Sequence, residues 1–294
     1  MNLQSPKIAL VIVLISLPLV WWACDEPTPP SGCTDITASN YDDWAVVDDY
    51  SCEYIEGGTL IFQDEFNGST LDDSKWVHDI GNGEWGWGNG ELQYYREENT
   101  TVSNGTAKIT AKKNDNGFDY TSSKIKTDGK FSFRFGKVQA RIKTVNGKGF
   151  WPAFWMLPAG GNWPCDGEID IMEQWGSNGY TYRTTGAAHL GYCPYSDGDR
   201  EYKSFEKDID GSYAHDFHVY EVRWEPNKIS WYVDNEKVFQ VTPNSFNQRY
   251  TWPFNSNEWY LILNLAIDRD GPSIATQFPT QMEIDWVRVY AFGS

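Results

Sequence analysis

Three carboxylates stand within one short apolar run of the sequence. The segment GEIDIMEQW places Glu168, Asp170 and Glu173 among isoleucine, methionine and tryptophan. A helix turns by about 100° per residue and would point Glu168 and Glu173 about 140° apart. A regular strand puts Glu173 on the opposite face from the other two, because its side chains alternate. One extra residue, a β-bulge at Ile171 or Met172, would bring all the acids to one face.

Carboxylates that converge on one face can serve as nucleophile, general acid and general base. Their crowding raises the proton affinity of at least one of them, so an acid can stay protonated near neutral pH. The segment therefore predicts the floor of an acidic cleft. A solvated strand edge in an acidic protein is the alternative for the same spacing.

The chain is acidic and rich in aromatic residues. Its 294 residues carry a formal net charge of −17 and include 15 Trp, 17 Tyr and 15 Phe. Nucleic acids and anionic membrane surfaces bind to basic patches, so this charge disfavours both as partners. A neutral ligand or a calcium ion fits better. Indole faces stack on sugar rings, and we expect about half of the aromatic residues to be ordinary core.

Short alternating runs separated by Gly, Asn and Asp fill the chain from Gly58 onward. Examples are KVQARIKTV (137–145), FHVYEVRW (217–224), ISWYVDNEKVFQV (229–241), WYLILNLAI (259–267) and MEIDWVRVY (282–290). This pattern predicts a single all-β domain, a β-sandwich or jelly roll. The acid-bearing run and TTGAAHLGY should form a hairpin turning near Asn178-Gly179, which places His189 beside the acids.

The N-terminus carries an export signal. Lys7 precedes the apolar run IALVIVLISLPLVWWA, so residues 1–23 are predicted to be a signal peptide, too short and weakly flanked for a membrane span. The following WWACDEPTPP resembles a bacterial lipoprotein signal, in which Cys24 becomes the lipidated N-terminus. Ordinary signal-peptidase cleavage is the alternative. Residues 24–32 would form a Pro-rich tether. We expect an exported protein, a cell-surface or outer-membrane lipoprotein or else a secreted or periplasmic one.

Five cysteines in an exported chain leave one unpaired, and lipidation of Cys24 would account for it. The other four would then form two bridges, the first between Cys33 and Cys52. Residues 33–54 resemble a small Cys- and Asp-rich module that recurs in bacterial secreted proteins. The segment is too short for a core of its own, so that bridge should hold it together.

The second bridge would join Cys165 to Cys193 across the predicted hairpin. Simple pairing through these two residues sets Leu190, and not His189, opposite Glu168. Either a bulge changes the parity of the hairpin, or one of these cysteines is free.

The longest motif resembles a known enzyme family. GKGFWPAFWMLPAGGNWPCDGEIDIMEQWG, residues 147–176, closely resembles the catalytic core of glycoside hydrolase family 16, in the bulged E-x-D-x-x-E form typical of laminarinases, the endo-β-1,3-glucanases. Other segments follow in the family's order: LIFQDEFNG (60–68), WGWGNGELQYY (85–95), FGKVQARIK (135–143), FHVYEVRW, YLILNLAI and MEIDWVRVYA. We therefore assign residues 58–293 to a family 16 catalytic domain.

The resemblance implies a concave jelly roll whose cleft holds an extended glucan, with retaining hydrolysis and no cofactor for catalysis. Matching positions make Glu168 the nucleophile, Glu173 the acid/base and Asp170 a hydrogen-bonding partner of the nucleophile. Trp155 and Trp163 match family positions that stack on glucosyl rings, and His189 matches a family histidine that contacts the acid/base region. Together with Trp87, Asn89 and Lys124, they are expected to bind the substrate. Rim packing is the alternative for the aromatic residues and Asn89, and core packing for the histidine.

Two departures from the laminarinase pattern affect sugar binding. Ser122-Ser123-Lys124 stands where S-G-R is common, which would weaken a bidentate arginine contact to sugar hydroxyls. After NLAI the chain continues DRDGPS, where a Gly-Gly-Asn-Trp stretch is usual, so a stacking tryptophan is missing. The linkage preference therefore stays open.

The resemblance also implies a structural calcium ion on the convex side of the sandwich. Glu65 and Asp285 match family positions that bind the ion together with a backbone carbonyl near Gly105. Solvated or strand-end roles are the alternative for both acids.

The sequence as a whole predicts a monomeric endo-β-1,3-glucanase that acts on laminarin-like β-glucan. A mixed-linkage β-glucanase is an alternative, although dedicated ones usually lack the extra residue of the motif. A hydrolase of agar- or carrageenan-type galactans is another, but no cluster of Arg and Lys accompanies the cleft motifs to bind sulfate. A non-catalytic β-glucan-binding protein shares the fold, yet such proteins lose the glutamates that this chain retains.

Overall fold

The computed structural model describes residues 28–34, 38, 40–52, 58–175, 181–194 and 199–292. The predicted signal peptide, Cys24 and the predicted Asn178-Gly179 turn lie outside these ranges. Within them, no helix has the length and apolar character needed to cross a membrane.

The described chain is almost entirely β-structure. Its strands are β1 (Ser31–Gly32), β2 (Val47–Asp48), β3 (Thr59–Asp64), β4 (Val77–Asp79), β5 (Tyr94–Tyr95), β6 (Thr100–Ser103), β7 (Thr106–Asp115), β8 (Phe118–Ser122), β9 (Lys124–Lys126), β10 (Gly136–Lys143), β11 (Phe150–Pro158), β12 (Glu168–Glu173), β13 (Arg183–Gly191), β14 (Arg200–Asp208), β15 (His218–Glu225), β16 (Lys228–Val233), β17 (Glu236–Val241), β18 (Trp259–Ile267) and β19 (Thr280–Ala291). Short helical turns cover Gly86–Gly90, Glu97–Asn99 and Pro243–Ser245.

Two sheets form a sandwich. The seven-stranded sheet, here called the cleft sheet, has the order β14-β13-β12-β11-β18-β9-β4. The ten-stranded sheet, here called the back sheet, follows β17-β16-β15-β10-β19-β7-β8-β5, with β3 on β19 and β6 on β7. Neighbouring strands are antiparallel in both sheets except for β5 and β8. The predicted all-β sandwich is confirmed.

Alternating side chains build the core between the sheets. In β10, Val138, Ala140 and Ile142 are fully buried, while the residues between them are half-buried. Burying each valine or isoleucine contributes roughly 1.5–3 kcal/mol. The period-2 pattern of the sequence therefore gives these segments one face for the core and one for solvent or the cleft.

Tryptophans link the back sheet to the acid-bearing strand. Trp224, Trp231 and Trp259 are fully buried in the core. Trp231 of β16 donates its Nε1–H to the backbone carbonyl oxygen of Asp170 in β12 at 2.8 Å. A buried indole needs such an acceptor, and this bond fixes β12 against the opposite sheet.

Strand β12 contains the predicted bulge. Two consecutive residues of β11, Phe154 and Trp155, face Met172 and Asp170. Ile171 is therefore the extra residue of β12. The pairing with β13 also shifts between Asp170 and Glu173. Ile171 and Met172 are buried in the core, while Glu168, Asp170 and Glu173 line the opposite face. The prediction of a bulge at one of these two apolar residues is confirmed.

The β12–β13 hairpin combines the disulfide with the histidine register. Glu168 faces His189 in the ladder, and Cys165 is bonded to Cys193. Both cysteines lie beyond the paired residues of the hairpin. The chain between Cys165 and Glu168 can therefore shift by one residue relative to the ladder while the disulfide bond is kept. The simple register, with Leu190 opposite Glu168, is therefore wrong.

The small Cys- and Asp-rich module rests on the catalytic domain. The predicted Cys33–Cys52 bridge is present. The module's strand β2 pairs in parallel with β1, which lies at Ser31–Gly32, in the stretch predicted to be a tether. Asn227 donates from Nδ2 to Asp48 Oδ2 at 2.9 Å, and Lys228 donates from Nζ to the Cys52 carbonyl oxygen. The module thus contacts the turn between β15 and β16, on the back sheet.

Candidate active site

A cleft of about 890 Å³ lies on the cleft sheet. The residues predicted for catalysis and for substrate binding all line it: Trp87, Asn89, Lys124, Trp155, Trp163, Glu168, Asp170, Glu173 and His189. They come from the GWGNG turn, from β9, β11, β12 and β13, and from the β11–β12 connection. The fold therefore brings together residues that are far apart in the sequence.

The acids form a row on the cleft floor. Asp170 and Glu173 are buried, and Glu168 is half-buried. Glu168 shares a hydrogen bond with Asp170, and Asp170 Oδ2 lies 3.0 Å from His189 Nε2. At the other end of the row, Trp151 donates from Nε1 to Glu173 Oε1 at 2.9 Å. Each acid therefore has a polar partner that fixes its orientation.

Burial raises the pKa of every acid in the row. It raises the pKa of Glu168 to about 8, with the Asp170 charge as the next cause, while His189 and the Trp163 side chain act in the opposite direction. Burial likewise raises the pKa of Asp170. The pKa of Glu173 lies well above its ordinary range, again through burial first and the Asp170 charge second. The row consequently retains protons near neutral pH, as a general acid requires.

A chain of hydrogen bonds connects Trp155 to the GWGNG turn. Trp155 donates from Nε1 to Asn264 Oδ1 at 2.7 Å, and Asn264 donates from Nδ2 to the Tyr95 hydroxyl at 3.2 Å. That hydroxyl donates to Glu91 at 3.1 Å, and Glu91 also accepts from Asn89 Nδ2 at 3.2 Å. Burial raises the pKa of Glu91. This one acid therefore orients Asn89 and, through the chain, Trp155.

Trp87 packs against protein atoms at the edge of the cleft. Gly83 lies so close to its indole that a Cβ at residue 83 would be 2.6 Å from the ring. The ammonium of Lys124 lies 4.5 Å from the Trp87 ring centroid and 5.1 Å from that of Trp155. Lys124 is also paired with Asp79 at 3.3 Å. Lys124 thus holds two indoles through cation–π contacts.

Trp163 lies beside the proposed nucleophile. Its side chain is 38% exposed in the cleft and hydrogen-bonds to Glu168. The Arg200 guanidinium lies 5.4 Å from its ring centroid. The Cys165–Cys193 bridge fastens the chain two residues after Trp163. The position of this indole therefore depends on a covalent link to the end of β13.

Sequence reasoning missed several residues of the cleft, namely Glu91, Trp151, Trp175, Arg200, Tyr202 and Asn264. The alternation of side chains could have found two of them. Trp151 lies four residues before Trp155 on β11 and so shares its face, and Trp175 lies two residues after Glu173. The others depend on strand order, which no local pattern encodes.

The predicted calcium ligands are already engaged by arginines. Glu65 accepts from Nε and Nη2 of Arg288 at 2.8 and 2.9 Å. Asp285 Oδ2 accepts from Nη1 of Arg141 at 2.5 Å. Gly105 lies in the turn between β6 and β7. As arranged, these side chains do not fit a calcium site, because each carboxylate is already neutralised by a cation.

The sequence profile of Glycosyl hydrolases family 16 matches residues 88–288. The chain belongs to glycosyl hydrolase family 16. The matched span includes the acid row and strands on both sides of it.

Known members of family 16 resemble this chain over most of its length. Glucan endo-1,3-beta-glucosidase A1 of Niallia circulans is 38% identical in an alignment of 272 residues that covers 80% of this chain and 38% of that protein. Beta-glucanase of Rhodothermus marinus is 36% identical, over 79% of this chain and 84% of that protein. The structure of the endo-beta-1,3-glucanase from Pyrococcus furiosus matches with a TM-score of 0.73 and 40% identity, over 82% of this chain and 98% of that one.

Proposed function

We propose that this chain is a retaining endo-β-1,3-glucanase that cleaves laminarin-type polysaccharide. The bulge in β12 carries the proposal, because it turns Glu168 and Glu173 to the same face of one cleft. Retaining glycosidases need two carboxyl groups that converge on one glycosidic bond. The family members named above as endo-1,3-β-glucanases support the choice of substrate.

The reaction proceeds through a covalent glycosyl-enzyme and needs no cofactor. Glu173 donates its proton to the glycosidic oxygen while the Glu168 carboxylate attacks the anomeric carbon, so the carbon–oxygen bond breaks and the aglycone leaves as an alcohol. Glu173 then removes a proton from water, which attacks the anomeric carbon and releases Glu168. The anomeric carbon is inverted twice, so the product keeps the β-configuration.

Asp170 acts between the two reacting groups. It hydrogen-bonds to Glu168, and its Oδ2 lies 3.0 Å from His189 Nε2. Its charge raises the pKa of both glutamates. We assign it the role of ordering the protons in the row, with His189 as its positioning partner.

The cleft walls bind the glucan. Trp155 and Trp163 stack on glucosyl rings, and Asn89 hydrogen-bonds to their hydroxyls. Trp87 and Lys124 contribute at the edge of the cleft. Lys124 offers a single ammonium group to the sugar hydroxyls, whereas an arginine would offer a bidentate guanidinium. The hydrogen-bond chain from Trp155 to Asn89 keeps these contacts in a fixed spacing.

A sulfated galactan fits the cleft less well. Among the residues that line it, Lys124 and Arg200 are the lysine and arginine side chains, and Lys124 is paired with Asp79. The acid row, Glu91 and Glu206 line the same cleft. The sulfate groups of a carrageenan chain would face this negative surface with few cations to bind them.

Parallel assays on laminarin, lichenan, agarose and carrageenan test the substrate. We expect the fastest cleavage of laminarin, with oligosaccharides of mixed length from an endo-acting enzyme. Early NMR spectra should show the β-anomer before mutarotation. Preferred cleavage of a galactan contradicts the substrate class, and an initial α-anomer contradicts the assignment of Glu168 and Glu173.

The predicted calcium ion can be tested independently of activity. Its binding would require Glu65 and Asp285 to exchange Arg288 and Arg141 for the ion. Calcium should then raise the Tm of chelator-treated protein, and Asp285→Asn should abolish the rise. An unchanged Tm, with no metal found by elemental analysis, would exclude the site.

We also propose that the protein is exported as a monomer, with Cys24 as a lipid anchor. Metabolic labelling with a radioactive fatty acid tests the anchor, with Cys24→Ser as the variant that should lose the label. If the wild-type protein carries no label, or if Cys24→Ser carries as much label as wild type, Cys24 is not the lipid anchor. Ordinary signal-peptidase cleavage is then favoured. Size-exclusion chromatography with light scattering tests the monomer.

A further inference from the structure

A pair of stacked tryptophans stands beside the proposed acid/base. The rings of Trp151 and Trp175 lie 4.2 Å apart between centroids, with an interplanar angle of 28°. Both side chains line the cleft. Trp175 is 44% exposed although one of its faces is covered by Trp151. The indole therefore presents apolar surface to the cleft two residues after Glu173.

The same pair contacts the reacting carboxyl. Trp151 donates from Nε1 to Glu173 Oε1 at 2.9 Å. An indole has a single N–H donor, so the direction of this bond depends on the rotation of the ring. Stacking on Trp175 restricts that rotation, because an offset stack of two indoles is favoured over other orientations. The stack and the hydrogen bond therefore fix Glu173 together.

We propose that Trp175 is a sugar-binding platform of the cleft and that Trp151, stacked beneath it, is a positioning residue for Glu173. This inference rests on the proposed function and assigns a further sugar contact to the same site. A glucosyl ring that stacks on the exposed face of Trp175 holds the two indoles together. The Trp151 N–H then stays directed at the acid/base. Binding of the glucan beside Glu173 thus helps to hold the proton donor, Glu173, in position.

The ligand chemistry follows from the surface that Trp175 offers. An exposed indole binds the C–H face of a pyranose ring, which carries no charge. The ionisable group that contacts the pair is Glu173, and its carboxylate would repel an anionic sugar. A neutral β-glucan is therefore the expected occupant, and its ring would lie next to the scissile bond.

Binding measurements with an inactive enzyme test the platform. In a Glu168→Gln background, Trp175→Ala should weaken the binding of laminarin oligosaccharides about fivefold, the range expected for loss of one aromatic stack. Trp175→Phe should retain most of the affinity, since it keeps an aromatic face. Trp44→Ala serves as the control, because this indole is 78% exposed in the small module, away from the cleft. Unchanged affinity in Trp175→Ala overturns the platform.

The pH dependence of kcat/KM tests the positioning role. Trp151→Phe keeps the stack but removes the N–H that favours the charged form of Glu173. The pKa of Glu173 should rise, so the alkaline limb of the profile should move to higher pH and kcat near the optimum should fall. Affinity in the Glu168→Gln background should stay unchanged. An unmoved alkaline limb overturns the positioning role.

These outcomes are separate from failure of the proposed function. If the wild-type enzyme cleaves another neutral glycan in preference to laminarin, the proposed substrate is wrong, and the same variants can be measured on the preferred glycan. The affinity of Trp175→Ala for that glycan then decides whether Trp175 is a sugar-binding platform.

Discussion

At the scale of single residues, Asp170 is the centre of the acidic row. It lies between the two proposed reacting groups in β12, and its charge is the largest cause after burial that raises the pKa of each. His189 lies 3.0 Å from it and opposes this effect. The protonation of the whole row therefore depends on one side chain that takes no part in bond formation.

Replacement of Asp170 by Asn should shift the pH profile as a whole. Loss of the charge lowers the pKa of Glu168 and of Glu173, since a negative neighbour disfavours ionisation. The acidic limb of kcat/KM reports Glu168 and the alkaline limb reports Glu173, so both should move to lower pH. Activity on laminarin should fall but remain measurable. A profile with the wild-type limbs would contradict this role.

Glu168 should also lower the stability of the enzyme as the pH rises. Its pKa is about 8 in the folded chain against an ordinary value of 4.5. Between these values the unfolded chain releases a proton that the folded chain retains, so the free energy of unfolding falls with increasing pH. Gln cannot ionise. The Tm of Glu168→Gln should therefore exceed that of wild type at pH 8, and the difference should vanish at pH 4.

An exposed glutamate provides the control for this comparison. The Glu98 side chain is 66% exposed, and Glu98→Gln should show no gain in Tm that grows between pH 4 and pH 8. If both variants behave alike, the gain at Glu168 does not come from its burial in the cleft.

At the scale of elements, two neighbours hold the bulged strand in place. Gly186 of β13 lies opposite the bulge, and a Cβ there would be 2.7 Å from the Asp170 carbonyl oxygen and 3.1 Å from that of Ile171. Trp231 donates to the same Asp170 carbonyl from the back sheet. The bulge therefore depends on a close approach of backbones on one side and on a buried indole on the other.

Gly186→Ala should separate β13 from the bulge. The added methyl group cannot be accommodated against two backbone oxygens, so we expect a loss of about 1–3 kcal/mol in stability and a lower kcat as Glu173 moves. Gly68→Ala is the matched control, because its Cβ would meet no atom closer than 3.4 Å. Equal effects of both substitutions on Tm and kcat would contradict the role of Gly186.

The two disulfides should differ in their effect on catalysis. The Cys165–Cys193 bridge closes a separation of 28 residues beside Trp163, and its removal should cost roughly 3–4 kcal/mol in stability. Ser at both positions should also raise the KM for laminarin, because Trp163 loses its anchor.

The bridge of the small module provides the control. Cys33–Cys52 closes a separation of 19 residues away from the cleft, so Ser at both of its positions should leave KM unchanged. A rise in KM in this variant, or none in the first, would show that Trp163 does not depend on its bridge.

The sequence predicts short-range features of this fold well and long-range contacts poorly. The bulge could be predicted because the parity of Glu168 and Glu173 requires it. The Glu65–Arg288 and Asp285–Arg141 pairs could not, because each joins residues that are far apart in the sequence and meet only through the strand order of the back sheet. Trp151 and Trp175 both lie within the recognised motif, 24 residues apart, but their contact depends on the pairing of β11 with β12, which the motif alone does not give.

At the scale of the whole molecule, the chain is acidic and its proposed substrate is neutral. The formal net charge of −17 gives no electrostatic attraction to a neutral glucan, so encounter and binding rely on stacking and hydrogen bonds. An acidic polysaccharide would be repelled at long range. The charge of the chain therefore favours the same substrate class as the residues of the cleft.

Salt should distinguish these two kinds of substrate. The kcat/KM on laminarin should change little between 10 mM and 500 mM NaCl, because screening acts on charged pairs. Any slow cleavage of carrageenan should increase with salt as repulsion is screened. A strong decrease on laminarin would show that charge attraction contributes to its binding.

The bulge in β12 also determines where the chain can change in length. The pairing with β11 and with β13 shifts by one residue at the same place. If Ile171 were deleted, both ladders would become continuous, and every remaining residue would keep its partner and its face. Deletion of Ile169 would instead make Glu168 and Asp170 neighbours and turn one of them toward the core. The strand can therefore lose one residue at this position while the register of the other residues stays the same, and the loss would shorten the distance along the strand between the proposed proton donor and the proposed nucleophile.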